Sequence, residues 1–199
     1  MTYRSYQGFK LTPVLTLIII NIVIFIGYLI NSDLLLHLFG LRGTWFLEYP
    51  QTIIRQPWTL ITSLFVHAGF WHIIANLLTL YYFGTALSQL VGDKKFLMVY
   101  FCGGLLGSIF FLLLASPSSI GVGASGAILA LAGAVVVMRP RVKVYILPLP
   151  VPIPLWVAVI VGFIIISPNI AWQAHLGGVI FGLIAGYFFR RGERRYSWR

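Results

Sequence analysis

Apolar runs of membrane-spanning length follow one another along this 199-residue chain with only short polar breaks between them. A helix needs about 20 apolar residues to cross about 30 Å of hydrocarbon. Candidate spans lie near Leu11–Ile30, Phe70–Leu90, Phe96–Ala115, Gly123–Met138, Leu155–Ile166 and Trp172–Phe189. A backbone polar group left unpaired in lipid costs several kcal/mol, so a spanning segment is a helix or part of a closed barrel, and unbroken rather than alternating runs select helices. The expected fold class is an all-α membrane protein, a bundle of six transmembrane helices. Charged residues make up 9% of the chain against 59% hydrophobic, too few to cover a water-facing surface, which excludes an ordinary soluble globule. Residues 1–199 read as a single membrane domain with a long first loop over 31–69 and no separate soluble domain. The first apolar run is longer than a signal-peptide core, and Asn31, Ser32 and Asp33 form no small-residue cleavage site, so it is expected to remain as the first span.

Fourteen basic residues against four acidic ones give a net charge of +10. Cytoplasmic loops accumulate Lys and Arg. With the N-terminus inside, Arg4, Lys10, Lys94, Lys95, Arg139, Arg141, Lys143, Arg190, Arg191, Arg194, Arg195 and Arg199 fall on the cytoplasmic side, and only Arg42 and Arg55 fall outside. This orientation places both termini in the cytoplasm of a multi-pass cell-membrane protein. It assigns the excess charge to anionic membrane lipids rather than to nucleic acid. Cys102 is the single cysteine, which rules out an intrachain disulfide, and with no activating base nearby in sequence it reads as apolar filler.

Strongly polar side chains inside spans are costly and mark candidate sites. His72 and Asn76 are four positions apart on the second span, hence on one face and about 6 Å apart along the axis. His67, five residues before His72, is rotated off that face and is expected to tie the preceding loop to the helix start. The fourth span opens on the glycine-rich stretch Ile120–Ala127 with Ser125 near its first turn, and the sixth carries His175 near its start. Spans two, four and six all run inward, so Ser125, His175, His72 and Asn76 are expected at one depth on the outer side. The fourth span is about 21 Å long at about 1.5 Å per residue, shorter than the hydrocarbon thickness. Its entry, Ser116–Val122, should dip below the surface beneath an outward-opening wet cavity above Ser125. Gly178, Gly182 and Gly186 on the sixth span and Gly126, Ala130 and Ala134 on the fourth recur every four positions, a pattern that lets two backbones approach closely.

These residues together resemble the rhomboid family of intramembrane serine proteases. Gly123-Ala124-Ser125-Gly126 matches its G-x-S-G, His67 with His72 and Asn76 its H-x4-H-x3-N, and Ala174-His175 followed by Gly178 and Gly182 its last-span motif. The similarity covers roughly residues 10 to 190 and implies a six-span rhomboid-type bundle whose long first extracytoplasmic loop is partly embedded in the outer leaflet. It implies Ser125 as nucleophile and His175 as general base and then acid. Asn76, His72 and backbone N–H groups around Ser125 would form the oxyanion hole. No third carboxylate is implied, and none of Asp33, Glu48, Asp93 or Glu193 falls inside a span, so His175 must be oriented by packing. The implied substrates are single-span membrane proteins with helix-weakening residues near the scissile bond. They would enter sideways between spans two and five; Pro148, Pro150, Pro152, Pro154 and Pro168 bound the short fifth span, a candidate gate. Nothing in the sequence calls for a cofactor or a metal, and nothing in it sets an oligomeric state.

The chain departs from the family pattern at two positions. Trp58 is followed by Thr59 where the family commonly has arginine, a role for which Arg55 is the nearby substitute. Leu129 stands where the family often has an aromatic beneath the histidine ring. Two rival readings are a catalytically inactive rhomboid-like binding protein, against which the presence of both Ser125 and His175 counts, and a small-solute transporter. A transporter predicts polar residues along a route to both sides, whereas here they cluster in the outer half.

Overall fold

The computed structural model describes residues 11–43, 55–116, 118–145, 151–166 and 171–196. Arg4, Lys10, Glu48, Pro148, Pro150, Pro168 and Arg199 lie outside the described residues, as do 44–54 of the first loop. In chain order the described elements are α1 (Pro13–Ile30), α2 (Ser32–Phe39), β1 (Leu41–Arg42), α3 (Thr59–Thr62, continued by a 3-10 turn over Ser63–Phe65), α4 (Phe70–Val91), α5 (Asp93–Leu114), β2 (Ile120–Gly121), α6 (Ser125–Met138), β3 (Lys143–Val144), β4 (Ile153–Pro154), α7 (Leu155–Ile166) and α8 (Trp172–Tyr196). Among them α1, α4, α5 and α8 are long and apolar enough to cross a membrane, and α6 and α7 are shorter apolar helices.

Local chemistry sets the helix ends. The Thr12 hydroxyl accepts from the Leu15 N–H at 3.3 Å with Pro13 at the first helical position, and the Asn31 side chain accepts from the Leu34 N–H at 3.0 Å. Gly92, at φ +86°, ends α4 and begins α5, a reversal whose left-handed backbone favours glycine. The residue before a proline is pushed out of the helical region, and α6 accordingly ends at Met138, one residue before Arg139-Pro140. Helices α5 and α8 extend past the apolar limits expected from the sequence, because charged residues at Asp93–Lys95 and Arg190–Glu193 continue them beyond the apolar part.

The described residues are mostly helical, as expected, with a minor addition. Two short antiparallel ladders are present, Leu41–Arg42 with Ile120–Gly121 and Lys143–Val144 with Ile153–Pro154. The first gives backbone entering α6 the partners that a buried non-helical segment requires, and the Gly43 N–H adds a bond to the Ser119 carbonyl at 2.9 Å.

The short helix α6 is the centre of the bundle. Ala127, Ala130, Leu131, Ala132 and Ala134 are fully buried, which explains a segment that is apolar on every side. At the periphery Ile19, Ile22, Val23 and Ile26 of α1 and Ile184, Tyr187 and Phe188 of α8 are exposed, the surface a helix bundle turns to lipid. Between centre and periphery the packing is backbone to backbone. A Cβ at Gly178 would collide with the Gly126 carbonyl oxygen, one at Gly182 with that of Ala130, and one at Gly186 would lie 2.7 Å from that of Ala134. The third member of this seam is α5: a Cβ at Gly103 would strike Ala130, and one at Gly107 would lie 2.6 Å from the Ala174 carbonyl oxygen. Gly103 and Gly107 stand at the same four-residue spacing, so α5 adds a third small-residue face to those expected on α6 and α8. Cys102, beside them, faces outward and is exposed.

Candidate active site

Ser125 is the first residue of α6, delivered by a turn that only glycine can make. Gly123 sits at φ +117°, and a Cβ there would lie 2.7 Å from His72 Nε2 and 2.8 Å from its Cε1. The residue is therefore fixed both by its backbone angle and by the imidazole against it. Its N–H donates to the Ser63 carbonyl at 2.9 Å, which anchors the turn to the end of α3.

Across the α6–α8 seam, His175 lies in the first turns of α8. Its Nε2 is 2.7 Å from Ser125 Oγ. The imidazole is buried and the serine half-buried. The contact is possible because the glycines remove the side chains that would otherwise separate the two helices. An imidazole with Nε2 unprotonated can accept the serine proton in this arrangement. The ring of Phe163 on α7 meets that of His175 at a centroid distance of 6.4 Å and an angle of 63°. Leu129 is half-buried on α6, so the aromatic neighbour of the histidine comes from a different helix. No periodicity or motif in α7 singles out Phe163 within its apolar run. Of the described acidic residues, Asp33 is in α2, Asp93 opens α5, and Glu193 is eighteen residues beyond His175 on α8, about 27 Å along the helix.

His72 and Asn76 share a face of α4, and that face is turned toward the glycine turn. His72 Nε2 is buried beside Gly123 with no hydrogen-bond partner among the described residues. Asn76 is 6% exposed, and its Nδ2 donates to the His72 carbonyl at 2.8 Å, one of the two donors the amide carries. Further donors come from the first turn of α6, whose N–H groups have no intrahelical acceptor and sit at the positive end of the helix.

His67 requires a correction. Helical rotation from His72 does not apply to it, because it precedes the helix at Phe70, and it lies in the interior. It is fully buried, its ring edge 5.0 Å from that of His72 between centroids, and its Nε2 faces the Ala124 N–H at 3.5 Å. It thus braces the entry to α6 rather than the start of its own helix. Burial, with the neighbouring His72 second, pushes its imidazole down to about 3, which keeps the ring neutral and able to accept.

Two further expectations are revised. Arg55 is exposed and has no partner among the described residues. Neutral bonds brace the loop instead: Trp58 Nε1 donates to the Leu38 carbonyl at 2.8 Å, Thr59 Oγ1 to that of Gln56 at 2.7 Å, and Ser108 Oγ to that of Leu60 at 2.8 Å. The wet cavity expected above Ser125 is, among the described residues, a pocket of about 20 Å³ lined in part by Ser63, Ser108, Gly123 and Ser125. That is room for about one water with polar partners at hand.

A family model for the Rhomboid domain matches residues 54–192. The putative rhomboid protease YdcA of Bacillus subtilis is 34% identical over 143 residues, covering 70% of this chain and 71% of that protein. Rhomboid protease GluP of the same organism is 34% identical over 130 residues, 64% of this chain and 25% of that protein. RHOMBOID-like protein 12, mitochondrial, of Arabidopsis thaliana is 30% identical over 161 residues, 69% of this chain and 48% of that protein. The chain thus spans about half or less of the latter two relatives.

Proposed function

The chain belongs to the rhomboid family, and from that premise we propose that it is an intramembrane serine endopeptidase cutting membrane-protein substrates through a Ser125–His175 dyad. The observation that carries this is the 2.7 Å approach of Ser125 Oγ to His175 Nε2 inside a bundle whose outer surface is apolar. Ser125 Oγ attacks the scissile carbonyl as His175 Nε2 takes its proton. The imidazolium then protonates the leaving amine, and water, activated by the same ring, hydrolyses the acyl-enzyme. The tetrahedral oxyanion is held by the Asn76 amide, His72 and first-turn N–H groups of α6. Gly126, Gly178 and Gly182 serve as the packing that lets base and nucleophile meet.

In this reading α6 and α7 join the four longer helices to make six spans of one domain over 1–199, with the first loop over 31–69 and the active site on the extracytoplasmic side. Both termini lie in the cytoplasm of a cell-membrane protein. Substrates are single-span proteins that reach Ser125 sideways between α4 and α7. A scissile helix must unwind before attack, because its carbonyls are bonded and sterically covered, so helix-weakening residues near the cut are part of the substrate.

The test is reconstitution with a generic single-span substrate, comparing wild type with Ser125→Ala and His175→Ala. Both variants should lose cleavage. Equal cleavage by all three would remove the dyad, a fluorophosphonate probe labelling another residue would relocate the nucleophile, and solute flux without proteolysis would favour a transporter.

A further inference from the structure

The C-terminal end of α6, opposite Ser125, opens on a recess of about 520 Å³ lined by Met138, Arg139, Pro140, Arg141, Val142 and Arg190. Three of these six residues are arginines. Glu193 offsets one of them: its carboxylate takes Arg139 Nη1 at 2.9 Å and Nη2 at 3.1 Å. Arg139 Nη1 also donates to the Met138 carbonyl at 3.0 Å, and Arg190 Nη1 to that of Val137 at 3.2 Å. These two bonds satisfy carbonyls at the negative end of α6 and fix two guanidinium groups beside one helical turn. A guanidinium has five donors. By the bonds present, Arg139 uses three and Arg190 one, and Arg141 has no partner among the described residues, so most of the donor capacity faces the recess or water.

The site is also pre-shaped. Arg139-Pro140-Arg141-Val142 forms a turn closed by the Val142 N–H on the Arg139 carbonyl at 3.2 Å, with proline at its second position. The Leu155 N–H holds the Val142 carbonyl at 2.9 Å. An anion entering therefore meets arginines already positioned, with little ordering left to do. An apolar track leads away from it. Leu183 and Tyr187, seven and three positions before Arg190, share its face of α8 and are 41% and 55% exposed.

We propose that this recess is a binding site for the phosphodiester headgroup of an anionic phospholipid, with the acyl chains lying along the Leu183–Tyr187 face of α8. Planar guanidinium forks match phosphate oxygens in pairs. The adjoining apolar face distinguishes a lipid from free phosphate, which would leave it uncovered. The inference does not depend on the chemistry at Ser125.

The test uses the full chain in neutral detergent, with dioleoylphosphatidylglycerol, dioleoylphosphatidylcholine and inorganic phosphate as probes, read by native mass spectrometry and by the melting temperature. Phosphatidylglycerol should be retained and should raise the melting temperature more than phosphatidylcholine does. The double substitution Arg141→Gln/Arg190→Gln should weaken that retention about tenfold, ~1.4 kcal/mol for the two arginines together. Arg191→Gln, outside the recess, should not. Arg141→Glu alone, a reversal at an exposed side chain that leaves the Arg139–Glu193 pair intact, should abolish the preference even if the double variant does not fold. Undiminished phosphatidylglycerol retention by Arg141→Glu would overturn the proposal. So would inorganic phosphate that stabilises as strongly as the lipid, which would mark a free-phosphate site.

Discussion

Phe163 meets His175 edge to face, ring centroids 6.4 Å apart, and so links helix α7 to the histidine that faces Ser125. Such pairs contribute about 1 kcal/mol beyond burial. A ring in this position would restrict the imidazole to orientations in which Nε2 reaches the hydroxyl, which is the effect that substituting Phe163 tests. Phe163→Ala should lower kcat about fivefold, as expected from ~1 kcal/mol, with KM little changed. Phe163→Tyr should restore most of the rate. An unaltered kcat in the alanine variant would show that the ring does not position His175.

Gly123→Ala should damage both fold and site. The new Cβ meets His72 Nε2 at 2.7 Å, and the φ of +117° is itself unfavourable for any other residue. A destabilisation of about 2 kcal/mol is expected from the backbone alone, with activity falling further because Ser125 is displaced. Melting temperature and labelling by a fluorophosphonate check the two effects separately. Full labelling of Ser125 in a stable Gly123→Ala protein would contradict the tightness of this turn.

Asn76→Ala should cost about 3 kcal/mol of transition-state stabilisation, roughly two orders of magnitude in kcat, if its amide holds the oxyanion. The substitution also removes the donor now bonded to the His72 carbonyl. Its effect on stability should nevertheless be small, about 1 kcal/mol. A kcat within a fewfold of wild type would remove Asn76 from the oxyanion hole.

Acid should destabilise the protein in part through His67. Its folded-state imidazole is held near 3 by burial, whereas an unfolded chain binds the proton at the ordinary value of 6.5. The unfolded state thus carries the extra proton between those values, and stability drops as pH falls through that window, by up to ~1.4 kcal/mol per pH unit for one group. Above the ordinary histidine range the contribution is fully present. His67→Gln should flatten the loss in melting temperature between about pH 6.5 and pH 5, and an equally steep loss in that variant would assign the acid sensitivity elsewhere.

The apolar helices were legible because lipid imposes one rule on every residue between two polar breaks; four of them are long and apolar enough to cross a membrane, and the ends of α4, α6 and α7 follow from Gly69, Pro140 and the apolar run from Leu155. The meeting of Ser125 with His175 was legible too, since equal depth and paired small-residue seams constrain two helices strongly. Features that depend on irregular backbone were not. Helical rotation carries no information on His67, which precedes α4, and the Leu41–Gly121 pairing joins two dipeptides with no strand periodicity. Phe163 is one aromatic in an apolar run, and its partner is chosen by how α7 packs on α8. The arginines at 139, 141 and 190 read as charge on one side of the membrane, whereas the recess they line arises from the turn at Pro140.

The seam between α6 and α8 also sets an order in time. Ser125 leaves the ribosome fifty residues ahead of His175, a delay of several seconds at about 5–20 residues per second. Throughout that interval the hydroxyl lacks the imidazole of His175. The Ser125–His175 contact can form only after α8 has been made and has docked against α6, so this pair is among the last parts of the bundle to assemble.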